Sequence, residues 1–89
     1  MKVEFKASFV KDLRKIKDAQ LKKQVLQVIE LVEKSHSLHE VEHIKKIVGT
    51  DQYYRIRIGN YRMGLVFENN AVIFVRFLHR KDIYRYFPD

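Results

Sequence analysis

The sequence predicts an α+β fold: a strand, a two-helix hairpin, a three-stranded antiparallel meander and a short C-terminal helical turn. Three observations predict it. Residues 2–7 alternate apolar Val3, Phe5 and Ala7 with charged Lys2, Glu4 and Lys6. Leu21, Val25, Ile29 and Val32 recur at helical spacing behind a capping Asp18. Gly59-Asn60 and Asn69-Asn70 then punctuate three alternating runs, and both residue types accept the positive φ of a tight hairpin turn.

Taken in order, the first strand covers residues 2–7. Ser8 is the expected N-cap of a first helix whose apolar positions are Phe9, Leu13 and Ile16. The second helix carries its main stripe from Leu21 to Val32, widened by Leu26, Val28 and Leu31, with Lys22, Lys23, Gln27, Glu30 and Lys34 opposite. Residues 35–49 suit either a short helix or an irregular connection. Strands follow at 53–58, 61–68 and 71–78, and a helical turn over 81–87 stops at Pro88. No linker or repeat interrupts the chain, so residues 1–89 read as one domain.

Composition narrows the function. The chain has no cysteine, which excludes disulfides, thiolate metal sites and a thiol nucleophile. No apolar run approaches the ~20 residues of a spanning helix, and the charged start does not suit a signal peptide. A soluble, cytoplasmic protein with no membrane partner is expected. Net charge is +7, and arginine is concentrated late in the chain: six of seven arginines and all five tyrosines lie between Tyr53 and Tyr86. Arginine's planar fork suits phosphate and base contacts better than lysine's point charge does.

Facing is set by the first hairpin. With the turn at Gly59-Asn60, Ile58 meets Tyr61, Ile56 meets Met63 and Tyr54 meets Leu65, which makes one face apolar. The other face holds Tyr53, Arg55, Arg57, Arg62 and Gly64, with Arg57 directly opposite Arg62. A slip of one residue would bury three arginines, so the register is pinned. Like charges across a sheet are destabilising. A merely solvated face would mix signs, yet no Asp or Glu lies between Gln52 and Phe67. An anionic partner is the expected reason. The third strand fits less simply, because regular pairing sets Arg76 opposite Met63. Either a bulge reverses the parity there or Arg76 snorkels out at the sheet's end.

The block Tyr54-Arg55-Ile56-Arg57-Ile58-Gly59-Asn60-Tyr61-Arg62, the strand ending Phe77-Leu78-His79-Arg80 and the closing Ile83-Tyr84 resemble the RelE/ParE superfamily of bacterial toxins. The similarity spans nearly the whole chain. It implies a toxin of a toxin–antitoxin pair. In the RelE-like branch, such a toxin cleaves mRNA in the ribosomal A site and is held inactive by a cognate antitoxin. The resemblance carries the basic catalytic positions to Arg55, Arg57, Arg62 and Arg80 and the terminal tyrosine to Tyr84. Arginine occupies the first two places, where lysines also occur in the family, and a histidine stands directly before Arg80.

Metal-free RNA cleavage has the 2′-hydroxyl attack the adjacent phosphorus and expel the 5′-oxygen, which needs a base, an acid and charge stabilisation. Arginine stays protonated, so Arg57, Arg62 and Arg80 are electrostatic clamps, and Arg55 binds phosphate or ribosomal RNA. The resemblance points to Tyr84 for proton transfer, since guanidinium neighbours favour a phenolate. His79 is a second candidate acid or base, because histidine titrates near neutrality. Tyr53 offers a surface for base stacking, and Lys81 and Arg85 lie where they can touch RNA. Tyr61 is expected in the core, and Tyr86 suits either place. His36, His39 and His43 lack the pattern of a metal site, and no cofactor is expected. The alternative function is a ParE-like toxin that binds and inhibits DNA gyrase without cutting RNA.

Overall fold

The computed structural model describes residues 1–88. Its elements are β1 (Lys2–Phe5), α1 (Ala7–Arg14), α2 (Ala19–Lys34), a 3-10 turn (Leu38–Glu40), β2 (Ile44–Lys46), β3 (Tyr53–Ile58), β4 (Tyr61–Glu68), β5 (Ala71–His79) and α3 (Ile83–Tyr86). The strands form one sheet in the order β1-β5-β4-β3-β2. The meander is antiparallel, as the alternation predicts. Gly59 has a φ of 58°, and Asn69 and Asn70 have 50° and 62°, so the turns use the left-handed freedom expected of them.

Two pairings extend the sheet beyond the predicted meander. β1 lies parallel to β5, with Lys2 opposite Ala71 and Phe5 opposite Phe74. Parallel neighbours need a long crossover, and the two helices supply it. β2 pairs antiparallel with β3, placing Ile44 opposite Ile56 and Lys45 opposite Arg55. Residues 35–49, which suit a short helix or an irregular connection by sequence, thus hold a 3-10 turn and a strand. The turn is held by Glu40, whose carboxylate accepts from the His36 and Ser37 backbone N–H groups at 2.6 and 3.2 Å.

The helices cover one face. Asp18 caps α2, its Oδ1 accepting from the N–H groups of Gln20 (3.0 Å) and Leu21 (3.2 Å). Val25, Ile29 and Val32 are buried against Ile56, Met63, Leu65, Phe74 and Phe77. Fully burying each such side chain contributes roughly 1.5–3 kcal/mol. Leu26 and Leu31, expected to widen the buried stripe, are instead 56% and 47% exposed. The short α1 adds Phe9, whose ring lies 5.5 Å from Phe74 and 6.5 Å from Phe77 between centroids.

Ser8 does not cap α1. The N-cap is Lys6, in extended conformation and without a side-chain bond. Ser8 Oγ donates instead to the Val75 carbonyl at 2.6 Å. The cause is the unequal length of the strands: β1 stops at Phe5 while β5 continues to His79, leaving an open edge. Ser8 and Asp12 fill it, with Asp12 Oδ2 accepting from the Phe77 N–H at 3.0 Å.

The register of β4 and β5 shifts between Gly64 and Leu65. This bulge sets Gly64 opposite Arg76 and Met63 opposite Phe77. Parity is reversed, so Arg76 leaves the apolar face. It then bonds Asp12 through Nε at 2.7 Å and Nη2 at 3.0 Å.

The second face of the sheet is partly covered as well. Ile83 and Phe87 return across it and are buried at 0% and 1% exposure. The Phe87 ring meets Tyr53 edge-on at 5.6 Å and lies over Gly64, where an added Cβ would come within 2.6 Å of Phe87 Cδ2. Gly64→Ala must therefore displace the ring that anchors the C-terminal segment. Its expected cost is about 1–3 kcal/mol of unfolding free energy, measured by urea denaturation. An unchanged midpoint would show that the ring moves aside freely.

Candidate active site

The arginine face is built by register. Arg57 stands opposite Arg62 on the β3–β4 ladder, and Arg55 stands opposite Gly64. On its other side Arg55 is paired with Lys45 of β2. The strand order thus places Lys45, Arg55, Arg57 and Arg62 together on one surface. Two open grooves meet there. One, of about 430 Å³, is lined by His43, Ile44, Lys45, Arg55, Arg57 and Arg62. The other, of about 400 Å³, runs between residues 45–48, Arg55 and Tyr84. Another concavity, of about 420 Å³, reaches Tyr54 and Phe67 on the opposite face and gathers none of the arginines.

Arg62 lies among the other basic residues of this face. Burial pushes its guanidinium below the ordinary value, and the charges of Arg55, Arg57 and Arg80 add to that push, while Tyr84 opposes it. Of these, Arg57 faces Arg62 across the ladder and Arg55 lines the same groove. Arginine remains a cation across the physiological range, so the result is a concentrated positive field. Arg62 is half-buried and steadied by two carbonyls: Nη1 donates to Gly59 O and to Tyr61 O, each at 2.9 Å. Arg80 follows β5, where its backbone N–H donates to Asn60 O at 2.7 Å and ties the strand end to the hairpin turn. Among the described residues none of Arg55, Arg57, Arg62 or Arg80 pairs with a carboxylate.

The remaining expected residues divide. Tyr84 is 57% exposed and borders the Arg55 groove. Tyr53 is half-buried beneath Phe87 and presents only part of its ring. Lys81 and Arg85 are exposed on the C-terminal segment. His79 lies elsewhere. It stands opposite Tyr61 on the helix-facing parity of the sheet, meets the Tyr61 ring edge-on at 5.4 Å and accepts the Lys81 N–H at Nδ1 at 3.2 Å. Tyr61 itself stacks on Phe77 at 5.2 Å, as its apolar face requires. Tyr86 lies beneath the Arg76 guanidinium, which sits 5.3 Å from its ring centre.

Sequence reasoning missed His43 and Lys45. Both belong to β2 or its entry, a strand of three residues with one apolar position, too short to show a period. His43 and His39 do not share a helix face, because His39 is in the 3-10 turn and His43 has a φ of 63°. His43 instead touches Arg57, with Nη2 to Nδ1 at 3.0 Å.

Comparison with known proteins agrees with this architecture. A family model described as the ParE toxin of a type II toxin-antitoxin system, parDE, matches residues 3–84. The chain is 47% identical over 89 residues to Toxin RelE3 of Methanocaldococcus jannaschii, covering 99% of this chain and 100% of that one. Putative toxin RelE1 of the same organism is 31% identical over 81 residues, covering 90% and 89%. Among solved structures, a RelB-RelE antitoxin-toxin complex from Methanococcus jannaschii matches with a TM-score of 0.81 at 45% identity, covering 96% and 99%. An archaeal RelE-RelB complex from Pyrococcus horikoshii OT3 shares the fold, with a TM-score of 0.72 at 20% identity, covering 92% and 97%. With the family model matched over residues 3–84 and a curated RelE toxin 47% identical along the full chain, the chain belongs to the RelE/ParE superfamily as a RelE-like toxin of a type II toxin–antitoxin system.

Proposed function

We propose that the protein is a ribosome-dependent endoribonuclease that cleaves mRNA in the A site and is held inactive by a cognate antitoxin. The observation that carries this reading is the shared face of Lys45, Arg55, Arg57 and Arg62, with Tyr84 bordering the Arg55 groove and no carboxylate paired to these arginines among the described residues. The 2′-oxygen attacks the adjacent phosphorus and gives up its proton to a base. The 5′-oxygen leaves with a proton from an acid, and a 2′,3′-cyclic phosphate remains. Arg57, Arg62 and Arg80 hold the added negative charge of the pentacoordinate phosphoryl group, and Arg55 and Lys45 extend the track for the neighbouring backbone. Tyr84 is the proton-transferring residue of this face. His79, with Nδ1 occupied and its ring on the opposite parity, serves packing at the strand end. So small a surface leaves substrate positioning to the ribosome, in the cytoplasm where translation runs.

The parDE description of the matching family model supports the second reading, a gyrase-binding toxin without nuclease activity. The arrangement around Arg62 favours cleavage, because a pure binder needs no tyrosine set among phosphate-holding arginines. The test is to express the chain, map mRNA 5′ ends, and repeat with Arg80→Ala and Tyr84→Phe. Cuts inside translated codons are expected. They should weaken about 10²–10³-fold with Arg80→Ala and about 10²–10⁴-fold with Tyr84→Phe. Toxicity with intact mRNA and accumulated gyrase–DNA breaks would establish the other reading.

A further inference from the structure

The arginines of this sheet are held in two ways. Arg76 is held by a carboxylate, Asp12, with bonds of 2.7 and 3.0 Å that cancel its charge. Arg62 is held by two backbone carbonyls, neutral acceptors that steady the guanidinium and leave its charge intact. Arg57 is held by His43. We propose that His43 is a positioning residue for Arg57, a neutral imidazole that aims the guanidinium at an RNA phosphodiester without neutralising it. This rests on the arginine face being the phosphate clamp proposed above.

The geometry is a two-point latch. The Arg57 backbone N–H donates to His43 O at 3.1 Å, while Arg57 Nη2 lies 3.0 Å from His43 Nδ1. A guanidinium has only donors, so Nδ1 accepts and the ring proton lies on Nε2. His43 is one residue before β2, on the rung facing Arg57, and departs from strand conformation at a φ of 63°. Histidine visits this region more often than most residues, yet the conformation is uncommon. It lets the backbone keep its rung with Arg57 while the ring lies beside the guanidinium. The charged groups sharing the groove are Lys45, Arg55 and Arg62, all cationic. On the α2 side His43 lines a second open groove together with Gln24 and Gln27, with Glu42 its chain neighbour.

Three substitutions in the full chain separate orientation from charge. His43→Gly removes the ring and keeps the left-handed backbone without strain. His43→Asn places an amide oxygen near the position of Nδ1, and His43→Asp places a charged oxygen there. Single-turnover cleavage on programmed ribosomes is expected to fall about tenfold with Gly, to stay near wild type with Asn, and to fall at least as far with Asp as with Gly. Two further readouts need no cleavage: the Arg57 side-chain N–H resonances, and affinity for a 2′-O-methyl RNA oligonucleotide. Hindered guanidinium rotation should persist with Asn and Asp and vanish with Gly, while oligonucleotide affinity should persist with Asn and drop with Gly and Asp. Cleavage by Gly equal to wild type, or equal behaviour of Asn and Asp, would overturn the proposal. A wild-type protein that cuts nothing would instead sink the nuclease reading. His43 would then stand or fall on the resonances and the oligonucleotide affinity alone.

Discussion

Arg62→Ala is expected to lower A-site cleavage about 10²–10³-fold, equivalent to ~3–4 kcal/mol of transition-state stabilisation, while leaving the fold intact. Arg62 stands opposite Arg57 and shares a groove with Lys45 and Arg55, so its removal takes one guanidinium from the middle of that positive face. The stability effect has the opposite character. A like-charge pair directly across a ladder costs roughly 0.2–1 kcal/mol, and Arg57 opposite Arg62 is such a pair. Losing the two carbonyl bonds of Arg62 offsets that relief. The unfolding free energy should therefore stay within about 1 kcal/mol of the wild type. Arg62→Lys keeps the charge and loses the fork, so it should recover little of the rate. Cleavage and urea denaturation on the same preparation decide the matter. Full activity in Arg62→Ala would remove the residue from the clamp, and a loss of several kcal/mol in stability would reassign it to structure.

The largest stability effect is expected at Asp12. Its side chain is 4% exposed and accepts three bonds, two from Arg76 and one from the Phe77 backbone. Asp12→Ala takes the Asp12 carboxylate from the Arg76 guanidinium and from the Phe77 N–H. Breaking such a buried pair typically costs about 3–5 kcal/mol, a large share of the roughly 5–15 kcal/mol that holds a small domain together. A double substitution, Asp12→Leu with Arg76→Met, should recover part of the loss by removing the charge that Asp12 balances. It should not recover all of it, because the Phe77 N–H remains unpaired at a cost of about 1–3 kcal/mol. Chemical denaturation of the three variants measures this. A destabilisation below 1 kcal/mol in Asp12→Ala would mean that other groups or water satisfy both donors.

Much of the arginine face was legible in the sequence. Strict alternation around a two-residue turn admits one register, and the observed rungs Ile58–Tyr61, Ile56–Met63 and Arg57–Arg62 are those the pattern requires. The Asp18 cap and the Val25, Ile29, Val32 stripe were equally legible, because capping and helical periodicity are local. Ser8 was misassigned for the opposite reason. Its hydroxyl had a local use as a cap, but the open edge of β5, formed by a distant strand, offered a carbonyl at 2.6 Å. β2 was too short to carry a signal. The cover that Phe87 places on Gly64 depends on how the chain's end returns across the sheet, which no spacing records.

The sequence by itself determined that Arg57 and Arg62 confront each other on a polar face without an acid beside them. Side-chain alternation and turn chemistry suffice for that. Which arginines keep their charge available was decided only by tertiary structure. Asp12, 64 positions earlier in the chain, takes Arg76, whereas carbonyl oxygens hold Arg62 and the His43 ring holds Arg57. Alternation along a strand says which face a guanidinium shares. It carries no information about which distant acceptor reaches it, and that acceptor decides whether an arginine's charge is neutralised within the fold or left available.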